Sequence, residues 1–250
     1  MRHPRLDFRN PTEIADELDR DGVACLEKAV PANWLAAARV GIDNLLSSGG
    51  EKDHFIRSPQ GSDHSAVEAF ISSLSVRALM HDIVCARLPH RVTEADFTGT
   101  ALRVIAGPKG EGDAFWFHFD ASALTMVVPI YLPDAGRGSS GELVGYFNKR
   151  PFRRFVLANI VDKWVLQSGY YRSRILRRLD RSGDIQKVDM EVGNVYLFWG
   201  YRSLHANMPC APHAVRATLL LHFGRVHGDS VALKSAIRLQ SILRRLVTSQ

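Results

Sequence analysis

The first ninety residues repeat apolar positions at helical intervals, whereas from about residue 98 the chain breaks into short β-branched and aromatic bursts. Asn10-Pro11-Thr12-Glu13 supplies a cap and an N-terminal proline for a helix through IADELDRD, and Gly22 stops it. VACLEKAV reads as a short strand ended by Pro31. PANWLAAARVGIDNLLSS then sets Trp34, Leu35, Ala38, Ile42, Leu45 and Leu46 on one helical stripe. Residues 47–66, rich in Ser, Gly, Asp and His, read as an exposed loop, and AVEAFISSLSVRALMHDIV as a further helix.

Downstream, TALRVIAG, AFWFHFDA, LTMVVPIYL, GELVGYF, QKVDMEV, NVYLFWG and AVRATLLLHFG are runs of strand length separated by Gly, Pro, Asp and Asn. Such spacing predicts an all-β barrel or double-sheet jelly roll. Residues 149–182 break the pattern and read as two helices joined at Ser168-Gly169, and SVALKSAIRLQSILRRLVTS reads as a terminal amphipathic helix. The predicted plan is mainly β with flanking helices, in one domain over 1–250. Residues 1–97 give helical support and 98–228 the jelly-roll core, interrupted by the insertion at 149–182. Residues 229–250 form the last helix.

Charge adds one feature to this plan. Lys and Arg number 32 against 26 Asp and Glu, a formal charge of +6, and ten of those cations fall within 149–182, facing only Asp162 and Asp180. No nucleic-acid motif accompanies them, so nucleic acid is not expected as a partner. The segment reads either as a solvated cover or as a lid whose Arg153, Arg154, Arg177 and Arg178 recognise a small, carrier-linked or lipid-linked anionic substrate. Lys234, Arg238, Arg244 and Arg245 lie outside the apolar stripe of the last helix, a pattern suited to packing or to peripheral contact with an anionic membrane. Cys25, Cys85 and Cys210 are odd in number and far apart, which excludes a disulfide framework or a CxxC metal site. With no apolar core in MRHPRLDFRNP and no run near the roughly 18 apolar residues of a membrane span, a cytoplasmic setting is expected.

The chemistry concentrates in two places. His118-Phe119-Asp120 lies in a strand-like run, where residues two apart share a face and can reach one ion. A second His-x-Asp, at His227 and Asp229, has no histidine after it and cannot open the order His, carboxylate, distal His. The segment GNVYLFWGYRSLHANMPCAPHAVRATLLLHFG reads as a strand, a tight loop carrying His205, and a strand opened by Arg216. Two His and one carboxylate suit non-haem Fe(II). An Arg fork with Thr218 two residues on can hold a carboxylate, and Arg103 and Thr125 are candidates to line the same barrel. His222 shares the face of Arg216 and Thr218 and reads as a pocket or core histidine; His213, in a Pro-flanked turn, reads as exposed.

Gly193-Asn194, Val195 to Trp199, His205-Ala206-Asn207 and Arg216, together with WFHFDASALTMVVPIYLPDAG and GELVG, resemble the phytanoyl-CoA dioxygenase family of 2-oxoglutarate oxygenases. The opening DELDRDGVACLEKAVP is similar too, although Asn194 stands where that family often has Asp. The resemblance implies a double-stranded β-helix and Fe(II) held by His118, Asp120 and His205. It also implies 2-oxoglutarate clamped by Arg216, O2 as oxidant, and hydroxylation of an unactivated carbon with release of succinate and CO2. Asp120 argues against the halogenating relatives, which lack the carboxylate. Desaturation or epimerisation remains open, as do a zinc hydrolase on the same site and a non-catalytic cupin-like binder.

Overall fold

The computed structural model describes residues 9–88, 97–107, 114–136, 138–152 and 185–226. The basic arginines Arg153, Arg154, Arg177 and Arg178, nearly all of the predicted insertion, and the C-terminal helix lie outside the described residues.

Helix α1 (Pro11–Asp21) starts where the Asn10 side chain accepts from the Thr12 N–H, and ends at Gly22 with φ 85°, whose N–H returns to Leu18 O. A left-handed residue with room for no Cβ is needed at Gly22, because a methyl there would meet Phe147 at 2.4 Å. Strand β1 (Val23–Leu26) follows, then α2 (Ala32–Gly49), whose Trp34, Ala38, Gly41 and Ile42 are buried. The predicted loop 47–66 holds more structure than expected: strand β2 (His54–Arg57) and a 3-10 turn at Ser62–His64. The one predicted helix beyond it is two, α3 (Ser65–Ser72) and α4 (Leu74–Cys85), because Ser73 adopts extended backbone between them.

The strands are β3 (Phe97–Ile105), β4 (Ser122–Tyr131), β5 (Leu143–Tyr146), β6 (Gln186–Val188), β7 (Val195–Phe198), β8 (Leu204–Asn207) and β9 (Arg216–Arg225). They form a six-stranded sheet in the order β1-β7-β4-β9-β3-β2 facing a three-stranded sheet, β6-β5-β8. Every strand pairing among the described residues is antiparallel. Pro129 has no N–H to give the ladder, and the β4–β9 register shifts there, the position at which a central strand tolerates proline.

Alternation divides the large sheet into two faces. Leu124, Met126, Val128, Leu197, Leu219 and Leu221 pack outward with Ile14, Leu18, Ile42, Phe70 and Ile83 of the helices in the main core. Val127, Tyr196, Phe198 and Leu220 turn inward towards Leu143 and Val188 of the small sheet. Each such side chain removed from water contributes about 1.5–3 kcal/mol. Covered on both faces, β4 is buried almost throughout, which explains its near-continuous apolar sequence. The fold is therefore the expected jelly roll with helices on its outer face. Asn194 serves without a carboxylate: its Oδ1 accepts from the Lys28 N–H at 2.8 Å and fixes the entry to α2. No described helix is long and apolar enough to cross a membrane.

Candidate metal and co-substrate site

Two sequence expectations about the site change in form. Residues 115–121 are not a regular strand; His118 makes an isolated antiparallel bridge to His205. His205, expected in a tight loop, lies on β8. The two residues exchange both backbone hydrogen bonds, His118 N–H to His205 O and His205 N–H to His118 O, each 3.0 Å. A hydrogen-bonded antiparallel pair puts both side chains on one face, and the rings stand 4.4 Å apart between centroids. Alternation survives without the strand: Phe117 and Phe119 pack outward against Val144, Leu204 and Ala206, leaving His118 and Asp120 turned inward.

One ligand atom from each of His118, Asp120 and His205 lies within 4.8 Å of the others, and among the described residues this is the one such group. Asp120 Oδ1 is 3.5 Å from His118 Nε2, and Oδ2 is 3.8 Å from His205 Nε2. Ligands at right angles around an ion with bonds near 2.1 Å stand about 3 Å apart, so small shifts close the set on a metal. Both imidazoles are pre-set for this. His118 Nδ1 bonds Trp116 O at 2.8 Å and His205 Nδ1 bonds Ser203 O at 3.1 Å. A carbonyl can only accept, so each Nδ1 carries the proton and each Nε2 offers its lone pair inward. Two neutral imidazoles and one carboxylate on one face, with His118 half open to solvent, fit Fe(II).

Burial opposes the charge of Asp120, but His205, His222 and His118 around it, and the Thr125 hydroxyl, outweigh that and hold its carboxyl below the usual carboxylate range. Burial pushes His205 down to about 4, with Asp120 resisting. A folded pKa below the unfolded value of about 6.5 means that the native chain binds fewer protons between the two. Metal-free protein should therefore lose about 3 kcal/mol as pH falls from 6.5 to 4. Urea melts of wild type and His205→Gln across that window check this; an equally steep pH slope in the variant would contradict it.

Loop 199–203 closes the site from behind. Asp19 of α1 takes Trp199 Nε1 at 3.0 Å and Arg202 Nη1 at 2.5 Å, anchoring the loop at both ends. Between them Gly200 O accepts the Asp120 N–H at 3.0 Å.

A second buried charge, Arg216, lies on β9 and is 2% exposed. Its Nη2 donates to Asn207 Oδ1 at 3.2 Å, while Nε and Nη1 are buried with no hydrogen-bond partner. Burial pulls its pKa down to about 10, with Cys210 and Glu142 opposing and Arg103 adding to the fall, so the guanidinium stays charged at neutral pH. A charged fork with two unpaired, buried donors fits a carboxylate. Gly141, with φ 70°, makes room for it: a Cβ there would lie 2.4 Å from Arg216 Cδ and 2.6 Å from Cys210 Sγ. Asn207 and His205 are two residues apart on β8, about 7 Å along the strand, a step that a five-carbon dicarboxylate spans.

Thr218 is buried inward beside Arg216 and opposite Arg103, as the strand pattern implies. Thr125 is also buried, but beside the metal-site carboxylate. It lies at the other end of β9, opposite His222, and its hydroxyl goes to Asp120 rather than towards Arg216. His213 is exposed, as read. Sequence reasoning gave no role to Asn207, Ser203, Gly141 or Gly200, although the family resemblance ran through Asn207 and through Gly141 in GELVG. Within the basic stretch, Arg150 is already engaged. It is 6% exposed, bonds Tyr201 O, and stacks on the Phe119 and Tyr201 rings.

No family model matches the sequence, and no curated protein matches it. Solved structures do match in fold. A prolyl hydroxylase from Trichoplax adhaerens, in complex with a hypoxia inducible factor oxygen degradation domain peptide, is 15% identical. It covers 86% of this chain and 89% of its own, with a TM-score of 0.58. EctD from S. alaskensis, with 2-oxoglutarate and 5-hydroxyectoine, is 17% identical over 89% and 80%, at 0.57. An oxidoreductase of the 2OG-Fe(II) oxygenase family from Burkholderia pseudomallei is 14% identical over 90% and 94%, at 0.51. The chain shares its jelly-roll fold with these oxygenase structures, and its His-Asp-His site is of a kind that fits Fe(II).

Proposed function

We propose that the chain is an Fe(II)- and 2-oxoglutarate-dependent oxygenase that hydroxylates an unactivated carbon, with His118, Asp120 and His205 holding the metal and Arg216 the distal carboxylate. The observation that carries the reading is the buried guanidinium of Arg216, charged and lacking partners for Nε and Nη1, whose Nη2 bonds Asn207, two residues from His205 on β8. A pure binder or a zinc hydrolase has no use for such a cation at that distance; a dicarboxylic co-substrate does.

Ferrous iron with 2-oxoglutarate and O2 supplies an oxidant strong enough to take hydrogen from an unreactive C–H bond, with release of succinate and CO2. His118 and His205 present Nε2 in one tautomer, Asp120 adds a charge already ionised in the protein, and Arg216 orients the co-substrate from the far end. Thr218 lies beside that carboxylate position, and Arg103 faces it across the sheet. The similarity in WFHFD, GELVG and the His205–Arg216 spacing supports a phytanoyl-CoA dioxygenase-like enzyme. The nine cations of residues 149–182 other than Arg150 support an anionic substrate, met by Arg153, Arg154, Arg177 and Arg178.

Anaerobic addition of Fe(II) and then 2-oxoglutarate should produce the weak visible charge-transfer band of the chelate. After air is admitted, succinate release should rise with anionic candidate substrates more than with neutral ones. Absence of the band at saturating reagents would remove the oxygenase reading; equal stimulation by neutral compounds would remove the anionic one.

A further inference from the structure

Resting on that reading of the metal site, we infer that Thr125, backed by His222, is a positioning residue that fixes Asp120 as a one-oxygen ligand. The Thr125 hydroxyl lies 2.5 Å from Asp120 Oδ2 and 3.1 Å from His222 Nδ1. An ionised carboxylate can only accept, so the single hydroxyl proton goes to Oδ2. The threonine oxygen then meets His222 with lone pairs alone, and His222 Nδ1 must donate to it. The chain of donors runs His222 to Thr125 to Asp120. Ser122 Oγ, 3.3 Å from the same His222 nitrogen, flanks it.

Oδ2 carries the Thr125 bond, with His222 Nδ1 at 3.6 Å and His205 Nε2 at 3.8 Å, whereas Oδ1 carries no such bond and faces His118 Nε2 at 3.5 Å. Gly200 completes the cradle: a Cβ there would lie 2.3 Å from Thr125 Oγ1 and 2.5 Å from Asp120 Oδ2. The carboxylate is thus pinned by side chains on β4 and β9 and by the loop after β7, three elements that packing already holds together. A pinned carboxylate offers one oxygen and leaves the remaining positions of the metal to co-substrate and O2. A free one can swing to offer two oxygens and occupy one of them. His222, read from sequence as a pocket or core histidine, acts here through Thr125, and neither side chain need touch the metal.

Co(II), which does not consume O2, serves as probe in the full chain, with binding and the visible ligand-field spectrum read together. Thr125→Val keeps the shape and removes the donor. It should weaken Co(II) binding about tenfold, within the range by which groups bonded to a ligand tune metal sites, and should alter the spectrum. Thr125→Ser restores the hydroxyl and should return both to within about threefold of wild type. His222→Phe, which keeps a planar aromatic side chain but removes the Nδ1 donor, should shift both in the direction of Thr125→Val and guards against a misfolded valine variant. Wild-type affinity and spectrum in Thr125→Val and His222→Phe would overturn this inference alone. A wild-type chain that binds no Co(II) would overturn it together with the metal-site reading.

Discussion

Arg216→Ala should weaken 2-oxoglutarate binding to the metal-loaded protein by about 100- to 1000-fold, while Co(II) binding to the variant stays within about threefold of wild type. The first figure corresponds to about 3–4 kcal/mol, the usual loss when one partner of a buried, charge-assisted pair is cut away. The second follows from its contacts: Arg216 bonds Asn207, which is not a metal-site residue and lies two residues beyond His205 on β8. Without co-substrate the same guanidinium is a burden, since Nε and Nη1 are buried and unpaired. Arg216→Met, with an apolar chain of similar reach, should therefore melt at the same temperature as the metal-free wild type or higher, while binding 2-oxoglutarate as poorly as Arg216→Ala. Titrations of Co(II)-loaded protein and thermal melts of the metal-free forms measure the two halves. Unchanged 2-oxoglutarate affinity in Arg216→Ala would end the clamp assignment, and a marked fall in the melting temperature of Arg216→Met would show the cation to be structural.

The parts of the site visible in the sequence were those whose chemistry depends on spacing along one element. His118 and Asp120 are two apart and share a face, and Arg216 opens an apolar strand where a cation needs a reason. The long strands β4 and β9 and the helices α1 and α2 were legible because each has enough periods to show its repeat. Strand β2 was hidden: four residues at a sheet edge, half of them exposed, carry too little alternation to stand out from a polar loop. Strand β8 was hidden for another reason, since Leu204–Asn207 owes its extended form to pairing with β5 and to the bridge from His118. The same logic applies to Thr125. Its place against Asp120 comes from the bend at Ala121 and from the β4–β9 register, neither of which local spacing encodes.

Two glycines turn this architecture into a separable test. Gly141→Ala should damage co-substrate binding and spare the metal, whereas Gly200→Ala should do the reverse at the first step. At Gly141 the added methyl meets Arg216 Cδ and Cys210 Sγ, both buried, and φ 70° costs an L-residue a further 1–2 kcal/mol or so. Arg216 must then swing, and 2-oxoglutarate affinity should fall at least about tenfold at unchanged Co(II) affinity. At Gly200 backbone conformation is no obstacle, because no left-handed φ is involved; the conflict is with Thr125 Oγ1 at 2.3 Å, Asp120 Oδ2 at 2.5 Å and Asp120 Cβ at 2.9 Å. Thr125 is held by β4, and Asp120 is tethered by its own N–H to Gly200 O, so the carboxylate is the group that yields. Losing one of three ligands from its place should weaken Co(II) binding by about 100-fold or more, the larger end of what disturbing a ligand's support costs. Co(II) titration of each variant, followed by 2-oxoglutarate titration at saturating metal, separates the two effects. If Gly200→Ala binds Co(II) normally, or if both variants lose metal alike, the carboxylate does not sit where its neighbours imply.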